Sequence, residues 1–221
     1  MEDKFHLSRE ESILIAKKYL KESVYRSAHL EGIQVTFPQT EAILEDAMVQ
    51  NVTSKDICKI CDLRDAWEYL LLHLDEPLDL VFLENIHEII AKEDLPWNYL
   101  GKIRDIVVRI SGTSFMPEIP SSEEIHQSLI NLLSISNATE RAIETLLYLM
   151  RLQPFVDGNK RVATFACNKI LIENGCGIFS VPVEYTQTFS EKLVHYYTTN
   201  ESSDLKQFIY DYCIDGITFS S

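Results

Sequence analysis

The sequence predicts an all-α fold, a multi-helix bundle with one short β-hairpin, from three observations. Long stretches carry apolar residues at the three- and four-residue spacing of an amphipathic helix. The seven glycines and seven prolines fall mostly between these stretches, as expected where short loops join long helices. Residues 104–117 break the pattern, because they combine β-branched residues with a Ser-Gly-Thr turn at positions 111–113.

Four helices are predicted in the first part of the chain. Ser8, followed three residues later by Glu11, has the pattern of a capping box, so a helix is expected from residue 8 to Glu31, before Gly32. The apolar spacing then predicts helices over residues 40–48, 54–72 and 78–91. Residues 1–75 are interpreted as an N-terminal helical region and residues 76–221 as a core. No linker rich in Pro, Gly or Ser separates them, which predicts one compact unit.

The predicted hairpin over residues 104–117 is followed by more helices. They are expected over residues 121–133, 139–152, 159–174, 189–197 and 203–215. The helix over 139–152 has a strongly apolar face, and Pro154 ends it, because the residue before a proline disfavours the helical region. Gly175 is expected to terminate the helix that begins at Asn159.

Composition narrows the classes of function. The formal net charge of −14 opposes binding to nucleic-acid backbones and anionic lipids, and no cluster of Lys and Arg offsets it. No apolar stretch approaches the ~18 residues of a membrane span, and the polar start lacks the apolar core of a secretion signal. Cys58 and Cys61 form a lone CxxC pair without nearby zinc ligands, which favours reduced thiols. These features predict a cytoplasmic protein.

Residues 153–161 join two apolar helices and carry the candidate site. The start of a helix presents unpaired N–H groups and a partial positive charge, which together can hold a phosphate. Gly158 permits a close approach of the backbone, and Asn159, Lys160 and Arg161 add donors and positive charge. These four residues are therefore predicted to bind phosphate.

Two neighbours of this glycine bear on the same site. Asp157 is placed to hold Mg²⁺, which proteins usually bind through one or two carboxylates plus substrate phosphates. An ordinary helix–helix turn is the alternative interpretation of an Asp-Gly-Asn sequence. Phe155, which can anchor the loop in the core, and the basic pair after Asn159 favour the phosphate site.

Residues 154–161, Pro-Phe-Val-Asp-Gly-Asn-Lys-Arg, resemble the Fic motif His-Pro-Phe-x-Asp/Glu-Gly-Asn-Gly/Lys-Arg. The resemblance extends over most of the chain, through Gly101, Arg104 and Asn168. It implies the Fic fold and transfer of AMP from ATP to a hydroxyl of a target protein, with Mg²⁺. It also implies a flap at residues 112–120 that docks the target by strand addition. The flap residues concerned are Gly112, Thr113, Ser114, Phe115 and Met116.

A second match lies upstream of the motif. Ser27, Glu31 and Gly32 resemble the family's inhibitory motif, Ser/Thr-x-x-x-Glu-Gly/Asn. The resemblance implies an inhibitory helix over about residues 8–31, whose Glu31 points into the nucleotide site and blocks the γ-phosphate. A carboxylate there would repel phosphate and occupy an arginine.

The sequence departs from the family pattern at two positions. Gln153 stands where the family has its catalytic His, and an amide has no useful basicity near neutral pH. Thr164 stands where many relatives carry the Arg that pairs with the inhibitory Glu, so Glu31 is expected to meet Arg161 or Lys160 instead. Lys160 also occurs in a subgroup that can phosphorylate, which leaves the orientation of the donor open.

Three functions stay open on this basis. The chain is an attenuated AMP-transferase controlled by Glu31, or a catalytically inactive Fic-fold module that binds a nucleotide or a protein, or a helical structural protein. The first two are favoured. ATP or ADP and a protein docked at the flap are the expected partners, and a homodimer stays open.

Overall fold

The computed structural model describes residues 1–216, and this part of the chain contains ten α-helices. They are α1 Arg9–Lys18, α2 Leu20–Leu30, α3 Phe37–Leu44, α4 Ser54–Leu72, α5 Leu80–Ala91, α6 Ser122–Leu133, α7 Ala138–Leu152, α8 Asn159–Glu173, α9 Thr186–Thr199 and α10 Ser203–Phe208. Short strands β1, Ile178–Phe179, and β2, Ile214–Asp215, pair antiparallel. The predicted all-α class is confirmed.

Helix α8 is the central element of the fold. Every residue from Arg161 to Ile172 is buried, because α1, α4, α5 and α7 pack around it. Helices from both predicted regions contribute to a common hydrophobic core, which includes Ile15, Trp67 and Phe165. Residues 217–221 of the predicted 76–221 core lie outside the described residues. The loop between α7 and α8 is therefore fixed at both ends by buried helices.

The predicted helix over residues 8–31 is interrupted once. The Ser8 capping box forms as expected, but Tyr19, at φ −91° and ψ 5°, ends α1 and precedes α2. Helix α1 packs against α8, whereas α2 packs against α3 and α4. The change of direction at Tyr19 allows both contacts, and it brings the end of α2 towards the start of α8.

Other helix boundaries follow local caps. Helix α4 has the predicted bounds, with the Thr53 hydroxyl accepting a hydrogen bond from Asp56 N. Helix α3 starts at Phe37 rather than residue 40, because Thr36 forms a capping box with Gln39. The predicted helix over 203–215 ends at Phe208, and a π-helical turn, Ile209–Cys213, then leads into β2.

The predicted hairpin over residues 104–117 does not form. This segment has an extended backbone and a turn at Ser111 and Gly112, but its two arms form no strand pair. The side chain of Arg104 takes the carbonyls of Ile106 and Glu118, which leaves them unavailable for pairing. We refer to residues 104–120 as the 104–120 loop; it contains the flap.

Two further observations concern membranes and metals. None of the helices in residues 1–216 combines the length and the hydropathy of a membrane span. The five cysteines are free thiols, and the described residues bring no three His, Cys, Asp or Glu side chains together as a metal site.

Candidate functional site

The loop between α7 and α8 is built on two left-handed residues. Gln153 ends α7 at φ 52°, and Gly158 precedes α8 at φ 77°. A Cβ on Gly158 would come no closer than 3.5 Å to His87, so the backbone conformation rather than lack of space favours glycine. The two turns send the chain back along α7 as α8.

Asn159 holds the loop together from inside. Its Oδ1 accepts a hydrogen bond from Phe155 N at 2.8 Å, and its Nδ2 donates to Gln153 Oε1 and to Phe155 O, both at 2.9 Å. The residue is only 4% exposed. The Asn159 side-chain amide is thus engaged within the loop, and only the backbone N–H of this residue is free to bind a ligand.

His87 supports the loop from α5. Its ring stacks on Phe155 with centroids 4.0 Å apart, Nε2 donates to Asp157 O at 3.1 Å, and Nδ1 accepts from Gly101 N. These partners assign the tautomer with the proton on Nε2. Burial, with a contribution from the charge of Arg161, lowers the His87 pKa to about 4. The ring is therefore neutral near pH 7 and acts as a clamp.

Arg104 connects the same loop to the 104–120 loop. Its guanidinium is buried and donates to the carbonyls of Leu152, Gln153, Ile106 and Glu118 at 2.6 to 3.2 Å. Its backbone N–H donates to Pro154 O. Burial lowers the pKa of this side chain. One cation thereby fixes both ends of the 104–120 loop against the end of α7.

A cavity of about 350 Å³ opens at the start of α8, and we call it the α8 cavity. The end of α2, residues 108–111, residues 156–160 and one face of α9 line it. Within residues 1–216, the N–H groups of Asn159, Lys160 and Arg161 have no protein acceptor. Such a helix start favours an anion.

Asp157 lies at the mouth of this cavity. Its side chain is exposed, and Oδ1 accepts a hydrogen bond from Gly158 N at 2.6 Å. A single carboxylate beside a phosphate-binding helix start fits Mg²⁺, which takes its remaining ligands from water and phosphate oxygens.

Glu31 reaches the cavity from the end of α2. Its Oε1 lies 3.1 Å from Lys160 Nζ, and its Oε2 lies 3.4 Å from Arg161 Nε. Both alternatives expected for this carboxylate are therefore present. Thr164 and Ser27 lie beside it and line a small adjoining pocket.

Lys160 and Arg161, both predicted to bind phosphate, lie in different places. Lys160 is partly exposed on the cavity wall, with Nζ donating to Leu30 O at 3.2 Å. Arg161 is 6% exposed and is not on that wall; it donates to Ile90 O at 2.6 Å and to Asp94 Oδ2 at 2.9 Å. The guanidinium is thus held behind the cavity by the partly buried carboxylate of Asp94.

Two further residues line the cavity, and Arg109 was not singled out in the sequence, whereas Tyr197 was one of three tyrosines considered for the pocket wall. Arg109 lines the α8 cavity from the 104–120 loop, is exposed, and has no acidic side chain within 4.0 Å in the described part of the chain. The sequence could have indicated its role only through its position, as a basic residue within the predicted hairpin. Tyr197 lines the cavity from α9, and burial, with the charges of Tyr196 and Glu31 contributing, raises its pKa.

The flap residues are divided between two places. Gly112 lies in the exposed turn and the partly buried Thr113 follows it, with Thr113 Oγ1 3.1 Å from Thr198 Oγ1. Phe115 and Met116 line a second cavity, of about 610 Å³, on the wall of the 104–120 loop away from α8. Gly32, at φ 80°, follows Glu31 outside both cavities.

Sequence comparison identifies a family for the central part of the chain. Residues 77–171, from just before α5 to within α8, match the model of the Fic/DOC family. A comparison with curated proteins returns no significant match.

Solved structures share the fold at low sequence identity. A fragment of Fic-1 from C. elegans has a TM-score of 0.72 and 20% identity over 89% of this chain, which spans 60% of that fragment. A Fic-domain-containing signalling protein from Bacteroides thetaiotaomicron has a TM-score of 0.73 and 21% sequence identity. That match covers 92% of this chain and 86% of the Bacteroides protein. BepC from Bartonella tribocorum, solved with bound AMPPNP, has a TM-score of 0.50 and 17% sequence identity. That match covers 69% of this chain and 84% of BepC.

Proposed function

Because residues 77–171 form a Fic/DOC family core and the chain has the fold of Fic-domain proteins, we propose that it binds ATP in the α8 cavity. We propose further that it transfers the AMP group to a hydroxyl of a target protein, at an attenuated rate. The observation that carries this proposal is the set of unpaired N–H groups of Asn159, Lys160 and Arg161 at the start of α8.

The charges around this helix start support a phosphate ligand. Lys160 and Arg109 lie on the cavity wall, and the helix dipole adds a partial positive charge. These groups act locally against a net charge of −14. The engaged Asn159 amide and the buried Arg161 keep the loop in shape, so that the backbone donors point at the ligand without reorganisation.

Mg²⁺ would be held by Asp157 together with the phosphates, and when bound it would neutralise charge on the leaving pyrophosphate. In the transfer, the target oxygen bonds to the α-phosphorus while the bond from that phosphorus to the pyrophosphate oxygen breaks. The hydroxyl proton must leave to an acceptor. The chain's part is to hold the phosphates and align the attack.

Gln153 accounts for the attenuated rate. Its Oε1 accepts from Asn159 and its Nε2 donates to Met150 O, so both ends of the amide are engaged. Neither end can take the proton of an attacking hydroxyl, and loss of a general base typically costs about 10²–10⁴ in rate. The proton then passes to solvent.

Glu31 supplies the control of this site. Its carboxylate lies on the wall of the α8 cavity and pairs with Lys160, a cation on the same wall. A phosphate entering beside it would meet a negative charge and would have to displace the ion pair. Nucleotide affinity is therefore expected to be low until α2 shifts.

A catalytically inactive, nucleotide-binding module is the second candidate. The saturated hydrogen bonding of Gln153 favours it, because this side chain is a structural part of the loop. The two candidates share the phosphate site and differ only in transfer.

Titration with Mg·ATP tests the shared site. Lys160→Met and Arg109→Met are each expected to weaken binding, whereas Lys18→Met, on the exposed face of α1, should not. Equal affinity in all four proteins, or no binding even after Glu31→Gly, would refute the phosphate site. ATP labelled at the α-phosphate then separates the candidates, since only a transferase leaves label on protein.

A further inference from the structure

The second cavity, of about 610 Å³, has a composition unlike that of the α8 cavity, and we call it the Arg151 cavity. Its walls are residues 115–120 of the 104–120 loop and parts of α6, α7 and α9. Apolar and aromatic side chains dominate: Phe115, Met116, Ile119, Leu152, Tyr148 and Tyr196. A volume of several hundred Å³ that combines apolar walls with polar groups is typical of small-molecule sites.

Arg151 is the cation of this cavity. Among the described residues, no carboxylate lies within 4.0 Å of its guanidinium and no atom accepts a hydrogen bond from it. Its Nε is shielded from solvent without a partner, which is an unfavourable state for a buried donor. By contrast, Arg104 and Arg161 engage several acceptors each. Arg151 therefore has unused donor capacity.

Aromatic rings hold this guanidinium in place. Its Cζ lies 4.1 Å from the centroid of the Phe115 ring and 5.9 Å from that of Tyr196. Contact with ring faces restrains the group while leaving its terminal Nη donors at the edge. A restrained guanidinium loses little freedom when a planar carboxylate binds its edge through two hydrogen bonds.

The surrounding charges disfavour a ligand with several negative charges. Glu118 and Glu124 also line the cavity and are exposed. Neither carboxylate pairs with Arg151, so its guanidinium is free to pair with one carboxylate of a ligand, whereas a nucleotide polyphosphate would be repelled by both glutamates. The apolar walls require an apolar body on the same ligand.

We propose that the Arg151 cavity binds a small monocarboxylate with an aromatic or branched aliphatic body. Its carboxylate is held by the Nη groups of Arg151, and its body lies against Tyr148, Tyr196 and Phe115. This inference does not depend on the proposed function. Because residues 108–111 of the same loop line the α8 cavity, the ligand would contact the loop that borders both cavities.

The test uses 3-phenylpropionate and its uncharged isostere 3-phenylpropionamide, with binding measured by ligand-observed NMR and calorimetry. The carboxylate is expected to bind wild-type protein, and the amide at least about tenfold more weakly. Arg151→Gln should lose at least about tenfold in affinity for the carboxylate. Arg9→Gln, which removes a surface partner of Asp75, is the matched control and should bind as wild type.

A second variant guards against misfolding of Arg151→Gln. Ser128 lies half-buried on the α6 wall, and Ser128→Leu adds bulk to the cavity, so it should also weaken binding. Mg·AMPPNP should leave the probe bound, because the nucleotide belongs in the other cavity.

Several outcomes would overturn the proposal. They are equal binding of acid and amide, unchanged binding in Arg151→Gln or Ser128→Leu, and displacement of the probe by Mg·AMPPNP. Failure of 3-phenylpropionate, indole-3-acetate and 4-methylvalerate alike to bind at up to about 10 mM would overturn it too.

Discussion

Arg161 donates to the carboxylate of Asp94, with Nη2 2.9 Å from Oδ2, and this ion pair lies behind the α8 cavity. Lys59 Nζ also lies 2.6 Å from Asp94 Oδ1, and Glu31 Oε2 lies 3.4 Å from Arg161 Nε. The guanidinium therefore connects α2, α5 and α8 at the point where the loop between α7 and α8 ends. Its contribution is to position the helix start, whose backbone donors and Lys160 face the cavity.

Asp94→Asn should destabilise the fold strongly. The side chain of Asp94 is 10% exposed, and loss of its charge would leave Lys59 and Lys55 without their anion and Arg161 with Glu31 alone. Breaking one partner of a buried ion pair costs about 3–5 kcal/mol. The free energy of unfolding, measured with urea, is expected to fall by about that amount. Asp75→Asn, which removes a surface partner of Arg9, is the control, and a similarly small effect in both would contradict this role.

Glu31→Gln should tighten nucleotide binding. The amide keeps the size of the side chain but removes the charge beside Lys160, so a phosphate no longer competes with a carboxylate. An affinity increase of about tenfold, equivalent to ~1.4 kcal/mol, is expected for Mg·ATP by calorimetry. Glu41→Gln, on the surface beside Lys21, should leave the affinity as in wild type. Equal affinities in all three proteins would refute control by Glu31.

Arg104→Lys should loosen the 104–120 loop although it keeps the charge. An ammonium cannot reach the carbonyls of Leu152, Gln153, Ile106 and Glu118 together, and each abandoned buried acceptor costs about 1–3 kcal/mol. Hydrogen exchange should accelerate in that loop and at the end of α7. Unchanged exchange there would mean that other contacts hold the loop.

Helix boundaries could be predicted from the sequence where local residues determine them. Helix α4 was predicted to its bounds, because Thr53 caps it locally and its apolar spacing is regular. No Gly or Pro marks the break at Tyr19 in the sequence. The break allows α1 to pack on α8 and α2 to pack on α4. These contacts join segments that are distant in sequence.

In the candidate site, too, local features could be predicted and contacts between distant residues could not. The loop between α7 and α8 was located by Pro154 and Gly158, which act on the local backbone. The position of Arg161 depends on Asp94, 67 residues away, and no local pattern identifies that partner. The predicted hairpin is wrong for a related reason: the β-branched residues indicated strands, but the side chain of Arg104 bonds the carbonyls of Ile106 and Glu118 in place of a strand pair.

His87 should make stability depend on pH between about 4 and 6.5. Its pKa is about 4 when folded, against 6.5 as the ordinary value, so the unfolded chain binds the extra proton as pH falls through this window. The contribution of the neutral His87 to the free energy of unfolding is fully present above pH 6.5. It decreases as the pH falls towards 4, by up to about 1.4 kcal/mol per pH unit. Urea unfolding at several pH values measures it. His87→Gln should flatten the slope in this window, and an unchanged slope would assign it to other groups.

Gln153→His combined with Glu31→Gly should convert the protein into an efficient transferase. Histidine tolerates the left-handed backbone of residue 153 better than most residues, and its free nitrogen can accept the hydroxyl proton. Label transfer from ATP to protein should rise by about 10²–10⁴ relative to Glu31→Gly alone. That single variant is the control, because it relieves the competing carboxylate without adding a base. If the double variant binds Mg·ATP as tightly as the control and still transfers nothing, the site is a binding module.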